Sequence, residues 1–180
     1  EESAYRILDY AVERGITFFD TAEAYGGGQA HAGHPNLVHE PGDGYEVTIE
    51  MSSSEAVMGR WIKSRRVRDE IVLCTKVSSG GASPQNIEKK LYESLERLNT
   101  DYIDVYKLHS PDHETPVDET LNVLTEYVSK GIIKTIGASN HTVHDLKHAL
   151  EVSTAGGYAR YDVIQPQYNL AYQPGIDDIL

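Results

Sequence analysis

Cysteine is nearly missing from these 180 residues: Cys74 stands alone. No disulfide can close within the chain, and a reducing, cytoplasmic setting is the expectation. No apolar run approaches the roughly 20 residues of a membrane span. No basic segment leading into an apolar one opens the sequence, so no secretory signal is expected. Positive charge is also scarce. Lys and Arg number 16 against 28 Asp and Glu, a formal net charge of −12. Such a surface repels nucleic acid and anionic membranes, and neither is expected as a partner. Phosphate loops of the G-x-G-x-x-G or Walker type are missing too. Gly26-Gly27-Gly28 follows a strand pattern without opening a helix and reads as a turn.

What is present is a chain long enough for one core, with 39% hydrophobic residues, as in soluble globular domains. Residues 4–14 have helical spacing, Ser3 as a plausible N-cap and Gly15 as a stop. Ile16–Thr21 reads as a strand. Residues 26–54 are rich in Gly, His, Ser and Pro. Within them Asn36–Glu40 and Tyr45–Glu50 flank Pro41-Gly42-Asp43-Gly44 like a β-hairpin inserted in a long loop.

Regular alternation follows. Ser52-Ser53-Ser54-Glu55 is a capping-box pattern before a short helix, Ala56–Arg65. Ile71–Lys76 is a strand. Ser83-Pro84 starts a helix with Ile87, Leu91, Leu95 and Leu98 on one stripe. Ile103–His109 is a strand. Thr115–Asp118 opens a helix that Gly131 ends. Ile132–Ser139 is a strand, Thr142–Asp145 caps a helix to about Ala155, and Asp162–Leu170 is the last strand. Five strands alternating with helices predict a parallel sheet with helices outside. An open doubly wound sheet and a (β/α)8 barrel both satisfy that pattern.

Each strand closes on a polar or ionisable group: Asp20 with Tyr25 nearby, Lys76, His109, Ser139-Asn140, and Gln165. Sites of α/β folds lie at such carboxyl ends. The residue types suggest one chemistry. A free phenol ionises near pH 10 and is a slow proton donor at neutral pH. Lys76 beside Tyr25 would stabilise the phenolate, and Asp20 would hold Lys76 charged. His109 could donate to a carbonyl oxygen while Tyr25 protonates it and a hydride arrives at carbon. Ser139, Asn140 and Gln165 offer partners for a carboxamide.

Asp20-Thr21-Ala22-Glu23-Ala24-Tyr25-Gly26, Cys74-Thr75-Lys76, Leu108-His109-Ser110-Pro111-Asp112, Ile136-Gly137-Ala138-Ser139-Asn140 and Ile164-Gln165-Pro166-Gln167-Tyr168-Asn169-Leu170 together resemble the aldo-keto reductases. The branch that includes potassium-channel β subunits and bacterial reductases is the most similar. The resemblance implies one TIM-barrel domain over 1–180, a (β/α)8 barrel incomplete in this chain. Strands 2–6 are present and strands 1, 7 and 8 absent, with an insertion at about 26–54. It also implies NADP, or NAD, as cofactor and interconversion of a small carbonyl and its alcohol. Residue by residue it makes Asp20, Tyr25, Lys76 and His109 a catalytic tetrad, and Ser139, Asn140 and Gln165 the nicotinamide contacts. The polar insertion favours a sugar or polyol substrate.

Two other readings stay open. One is a non-enzymatic regulatory barrel that binds the cofactor. The other is a metal-dependent hydrolase using His31, His34 and His39, although their loose spacing makes solvated loop histidines the simpler account, with no metal expected. Cys74 and Lys107 share strand parity with Lys76 and His109 respectively, and so point inward. A buried thiol needs nothing more. An interior lysine needs a partner, which the sequence does not name.

Overall fold

The computed structural model describes residues 1–26, 52–78 and 81–169. The predicted hairpin, most of the 26–54 insertion and His31, His34 and His39 lie outside the described residues. Helix α1 (Glu2–Glu13) begins after Glu1 rather than Ser3, without a side-chain cap. Gly15 follows it at φ +79°, a left-handed conformation that costs glycine little. Strand β1 (Phe18–Asp20) is shorter than Ile16–Thr21. Its flanks still pair: Val72 N donates to Thr17 O and Thr21 N to Cys74 O.

Helix α2 (Ser53–Arg65) is entered without the predicted capping box. Ser52 takes a left-handed φ of 56° and its hydroxyl donates to Glu23 O at 2.6 Å. Glu55 turns into the protein, fully buried, and accepts from Thr75 Oγ1 and from Arg97 Nε at 2.7 Å. The serine and the glutamate therefore reach for different partners instead of each other.

Strand β2 (Val72–Val77) leads to helix α3 (Pro84–Leu98). Ser83 caps α3 by accepting from Asn86 N, and Ile87, Leu91, Leu95 and Leu98 are buried along it. Strand β3 (Ile103–Leu108) precedes helix α4 (Val117–Ser129), whose N-cap is Pro116 with no side-chain bond. Thr115 instead donates to Asp112. Strand β4 (Ile133–Ser139) is followed by helix α5 (Val143–Gly156), where Thr142 and Asp145 do form a capping box. Strand β5 (Tyr161–Gln165) stops well short of Leu170, because Pro166 has no N–H to extend the ladder.

All pairings are parallel, and the order is β1-β2-β3-β4-β5. A doubly wound sheet reverses its order at a switch point. This sheet does not, and each crossover carries a helix, so it is a run of five consecutive strands of a (β/α)8 barrel with its helices outside. Two apolar clusters fix the helices. Ile87, Leu91, Tyr106, Leu121, Leu124 and Ile136 join α3 and α4 to the sheet. Phe19, Met58, Trp61, Ile62, Leu73 and Leu98 hold α2 to β1 and β2. Each such buried side chain contributes roughly 1.5–3 kcal/mol. Alternation sends the other residues of each strand inward: Asp20, Cys74, Lys76, Val105, Lys107, Gly137, Ser139, Val163 and Gln165. No described helix is long and apolar enough to cross a membrane.

Candidate active site

The register sets the polar groups side by side. Asp20 pairs with Cys74, Lys76 with Lys107, and Ser139 with Gln165. One strand face thus carries a carboxylate between two lysines. The Lys76 side chain is fully buried. Its ammonium donates to Asp20 Oδ2 at 2.7 Å, to Thr21 O at 2.9 Å and to Tyr25 Oη at 3.1 Å. Three donors meet three acceptors. Because the Tyr25 oxygen accepts from Lys76, its own hydrogen is left to point elsewhere. Tyr25 is 37% exposed, so that hydrogen can reach a ligand.

Asp20 is the hub. Burial, the largest influence, pushes its carboxyl up, but hydrogen bonds from Lys107 and Lys76 outweigh it and hold the group at about 2. Lys107 Nζ donates to Asp20 Oδ1 at 2.7 Å and to Gln165 Oε1. Burial works against the charge of Lys107, yet the Asp20 bond leaves it raised. Beside them, burial pushes the Cys74 thiol up to about 12. Cys74 is therefore a packed thiol and no nucleophile at neutral pH.

His109 stands just past β3, its ring edge-on to Tyr25 with centroids 5.5 Å apart. Burial first, and the Lys76 charge second, lower its pKa, so the ring is neutral at pH 7. Its Nδ1 is hydrogen-bonded to Ser78 Oγ. Asn140, at φ +59°, donates from Nδ2 to His109 O at 2.8 Å. Ser139 Oγ donates to Gln165 O at 3.1 Å. Ser139 and Asn140 thus brace neighbouring strand ends as well as lining the rim.

The structure brings Asp20, Tyr25, Lys76 and His109 into one cluster. Gln165 joins it through Lys107, and Ser139 and Asn140 join through backbone carbonyls. At this rim, hydroxyl and amide groups supply the donor and acceptor types that a carboxamide pairs with. Sequence reasoning placed Lys107 inward without a partner and passed over Ser78 altogether, since Ser78 sits one residue beyond its strand and outside every motif. A cavity of about 610 Å³ lies elsewhere, between the loops preceding α4 and α5. His113, His141, His144 and His148 line it, and none of the clustered groups does. Among the described residues, no three His, Cys, Asp or Glu side chains gather to hold a metal ion.

A model of the aldo/keto reductase family matches residues 1–177. Aldo-keto reductase YhdN of Bacillus subtilis is 32% identical over 178 residues, covering 94% of this chain and 45% of that protein. Norsolorinic acid reductase B of Dothistroma septosporum is 28% identical, covering 100% of this chain and 43% of that protein. Among solved structures, the thermostable aldo-keto reductase Tm1743, in complex with the inhibitor epalrestat, superposes with a TM-score of 0.75 at 29% identity. That match covers 98% of this chain and 54% of the other. The chain spans about half the length of the curated relatives it matches.

Proposed function

The chain belongs to the aldo/keto reductase family, and from that premise we propose that its protein is an NAD(P)H-dependent oxidoreductase. It would interconvert an aldehyde or ketone with its alcohol, with Tyr25 as general acid and base. The observation that carries this reading is the Lys76 ammonium, 3.1 Å from the Tyr25 oxygen and anchored 2.7 Å from Asp20.

When bound, the nicotinamide supplies the hydride that ends on the carbonyl carbon. The residues supply the rest. Tyr25 gives its hydroxyl proton to the carbonyl oxygen, and the phenolate left behind lies against the Lys76 ammonium, which stabilises it. In the reverse direction that phenolate takes the alcohol proton. In the tautomer this chemistry needs, neutral His109 would accept from the Ser78 hydroxyl at Nδ1 and carry its proton on Nε2, where it donates to the same oxygen. Ser139, Asn140 and Gln165 would hold the carboxamide of NADPH, or of NADH. The polar composition of residues 26–54 supports a hydroxylated substrate such as a sugar or polyol, and the single cysteine supports a cytoplasmic setting.

The test is carbonyl reduction by the full-length protein, with NADPH or NADH and a panel of aldehydes, set against Tyr25→Phe. Losing a positioned acid costs about 100-fold or more in kcat. Near-normal turnover by the phenylalanine form would overturn the role given to Tyr25.

A further inference from the structure

Lys107 is a buried cation with no part in the proton transfer just described. Its side chain is 3% exposed. The space it fills is provided for it. Gly137 stands opposite in β4. A Cβ there would come within 2.9 Å of Lys107 Cγ and 2.5 Å of Val163 O. The stem of Lys107 therefore runs through room that only glycine leaves, and its ammonium arrives between Asp20 Oδ1 and the Gln165 amide.

An ammonium donates and cannot accept, so the Gln165 atom facing it must be the oxygen. The amide nitrogen is thereby turned away, with one long contact of 3.5 Å to Asp20 Oδ2. The groups around Lys107 are Asp20 from β1, Cys74 and Lys76 from β2, Gln165 from β5, and His109 past the end of β3. Asp20 is the one anion of that set, and it is divided between two ammonium groups.

We infer that Lys107 is a positioning residue: it locks the Gln165 amide so that its NH2, not its oxygen, is what the site offers to the carboxamide oxygen of the cofactor, while sharing Asp20 with Lys76. Where the cofactor is concerned, this rests on the function proposed above. It adds a direction to one contact. Gln165 acts as a donor, and the opposite orientation is excluded by charge.

The experiment uses the full-length protein, Lys107→Met and Lys107→Arg. In the cofactor-free protein, the Gln165 side-chain amide is followed by 15N NMR. Wild type and Lys107→Arg should show the two NH2 protons displaced from the shifts of a free glutamine amide, and Lys107→Met a pair close to those free values. Dissociation constants are then measured for NADPH or NADH, whichever binds more tightly, and for its 3-acetylpyridine analogue, which keeps the carbonyl oxygen but lacks the NH2. Losing one anchored hydrogen bond should weaken both by about fivefold in Lys107→Met, and by less than about twofold in Lys107→Arg.

Unchanged affinity in Lys107→Met, or weakening confined to the natural cofactor, would overturn the inference. If Lys107→Met fails to fold, Gln165→Glu decides. It keeps an oxygen for Lys107 and replaces the NH2 with an acceptor, so both ligands should bind about tenfold or more weakly, and undiminished binding overturns the orientation. If wild type binds neither NADPH nor NADH, the proposed function fails. The amide signals still judge Lys107, since identical spectra in all forms would show that it positions nothing.

Discussion

The Lys76 ammonium lies 3.1 Å from the Tyr25 hydroxyl and 4.5 Å from the centre of the same ring. One cation thus faces both the oxygen and the π face of one phenol. Lys76→Met should remove the charge that stabilises the phenolate and lower kcat by about 100-fold or more. The fold should survive, because Asp20 keeps Lys107. A far-UV spectrum like that of the wild type, with turnover lost, is the expected pair of results.

Asp20→Asn acts on stability as well as turnover. Two buried ammonium groups lose their anion at once, and unpaired buried charge is costly. A carboxyl held at about 2 against a usual value near 3.8 stabilises the native state at neutral pH, and solvent at the partly exposed Asp20 screens part of that contribution. A depressed carboxyl contributes fully above its unfolded value. The contribution fades as pH falls from about 4 and is gone once Asp20 protonates near 2. Urea unfolding at pH 7, 4 and 2.5 should find wild type losing stability across that acid window. Asp20→Asn should start lower by roughly 1–3 kcal/mol, the cost of leaving buried partners unpaired, and fall less steeply.

The strand ends were legible because two periodicities coincide: a repeat of two sends Cys74, Lys76, Lys107 and Gln165 to one face, and the run of helices makes the sheet parallel. What parity cannot give is a neighbour. It aimed Lys107 inward, but Asp20 lies 87 residues away in sequence, and only the register of three strands joins them. The Ser83 and Thr142 caps form as their patterns predict, whereas the capping box at Ser52 and Glu55 does not. At Thr142 the pattern lies at an exposed helix start and closes on itself. At Ser52 and Glu55 the same residue types face Glu23, Thr75 and Arg97, and tertiary partners win. The last strand ends at Gln165 and not at Leu170 because Pro166, lacking an N–H, cannot extend the ladder.

Ser78→Ala tests the setting of the histidine. The Ser78 hydroxyl is bonded to His109 Nδ1, and the Asn140 amide grips the His109 carbonyl from the other side. Without the hydroxyl, the ring is free to place its proton on either nitrogen. Carbonyl reduction should drop by about fivefold to tenfold in kcat/KM, with a stability change near 1 kcal/mol. Burial and the Lys76 charge both disfavour the imidazolium and lower the His109 pKa below that of a free imidazole. Any loss of reduction caused by charging His109 should therefore lie below the free-imidazole range. A pH–rate profile in which a group titrating at or above 6.5 abolishes reduction would contradict this assignment.

Gly59→Ala sets helix propensity against packing. In an open helix interior, alanine is favoured over glycine by about 1 kcal/mol. Gly59, however, is where α2 meets the end of α3. A Cβ at this position would sit 1.9 Å from Arg97 O and 2.7 Å from Leu98 Cα, backbone atoms that cannot rotate aside. Relief requires moving one helix off the other, and Trp61 and Leu98, both fully buried, are packed into the same contact. Overpacking of this kind costs roughly 1–3 kcal/mol, so the clash should outweigh the gain in propensity. The urea midpoint should fall while the slope of the transition stays the same. A raised midpoint would mean that α3 yields without loss, and that the close approach of the two helices is incidental to the fold.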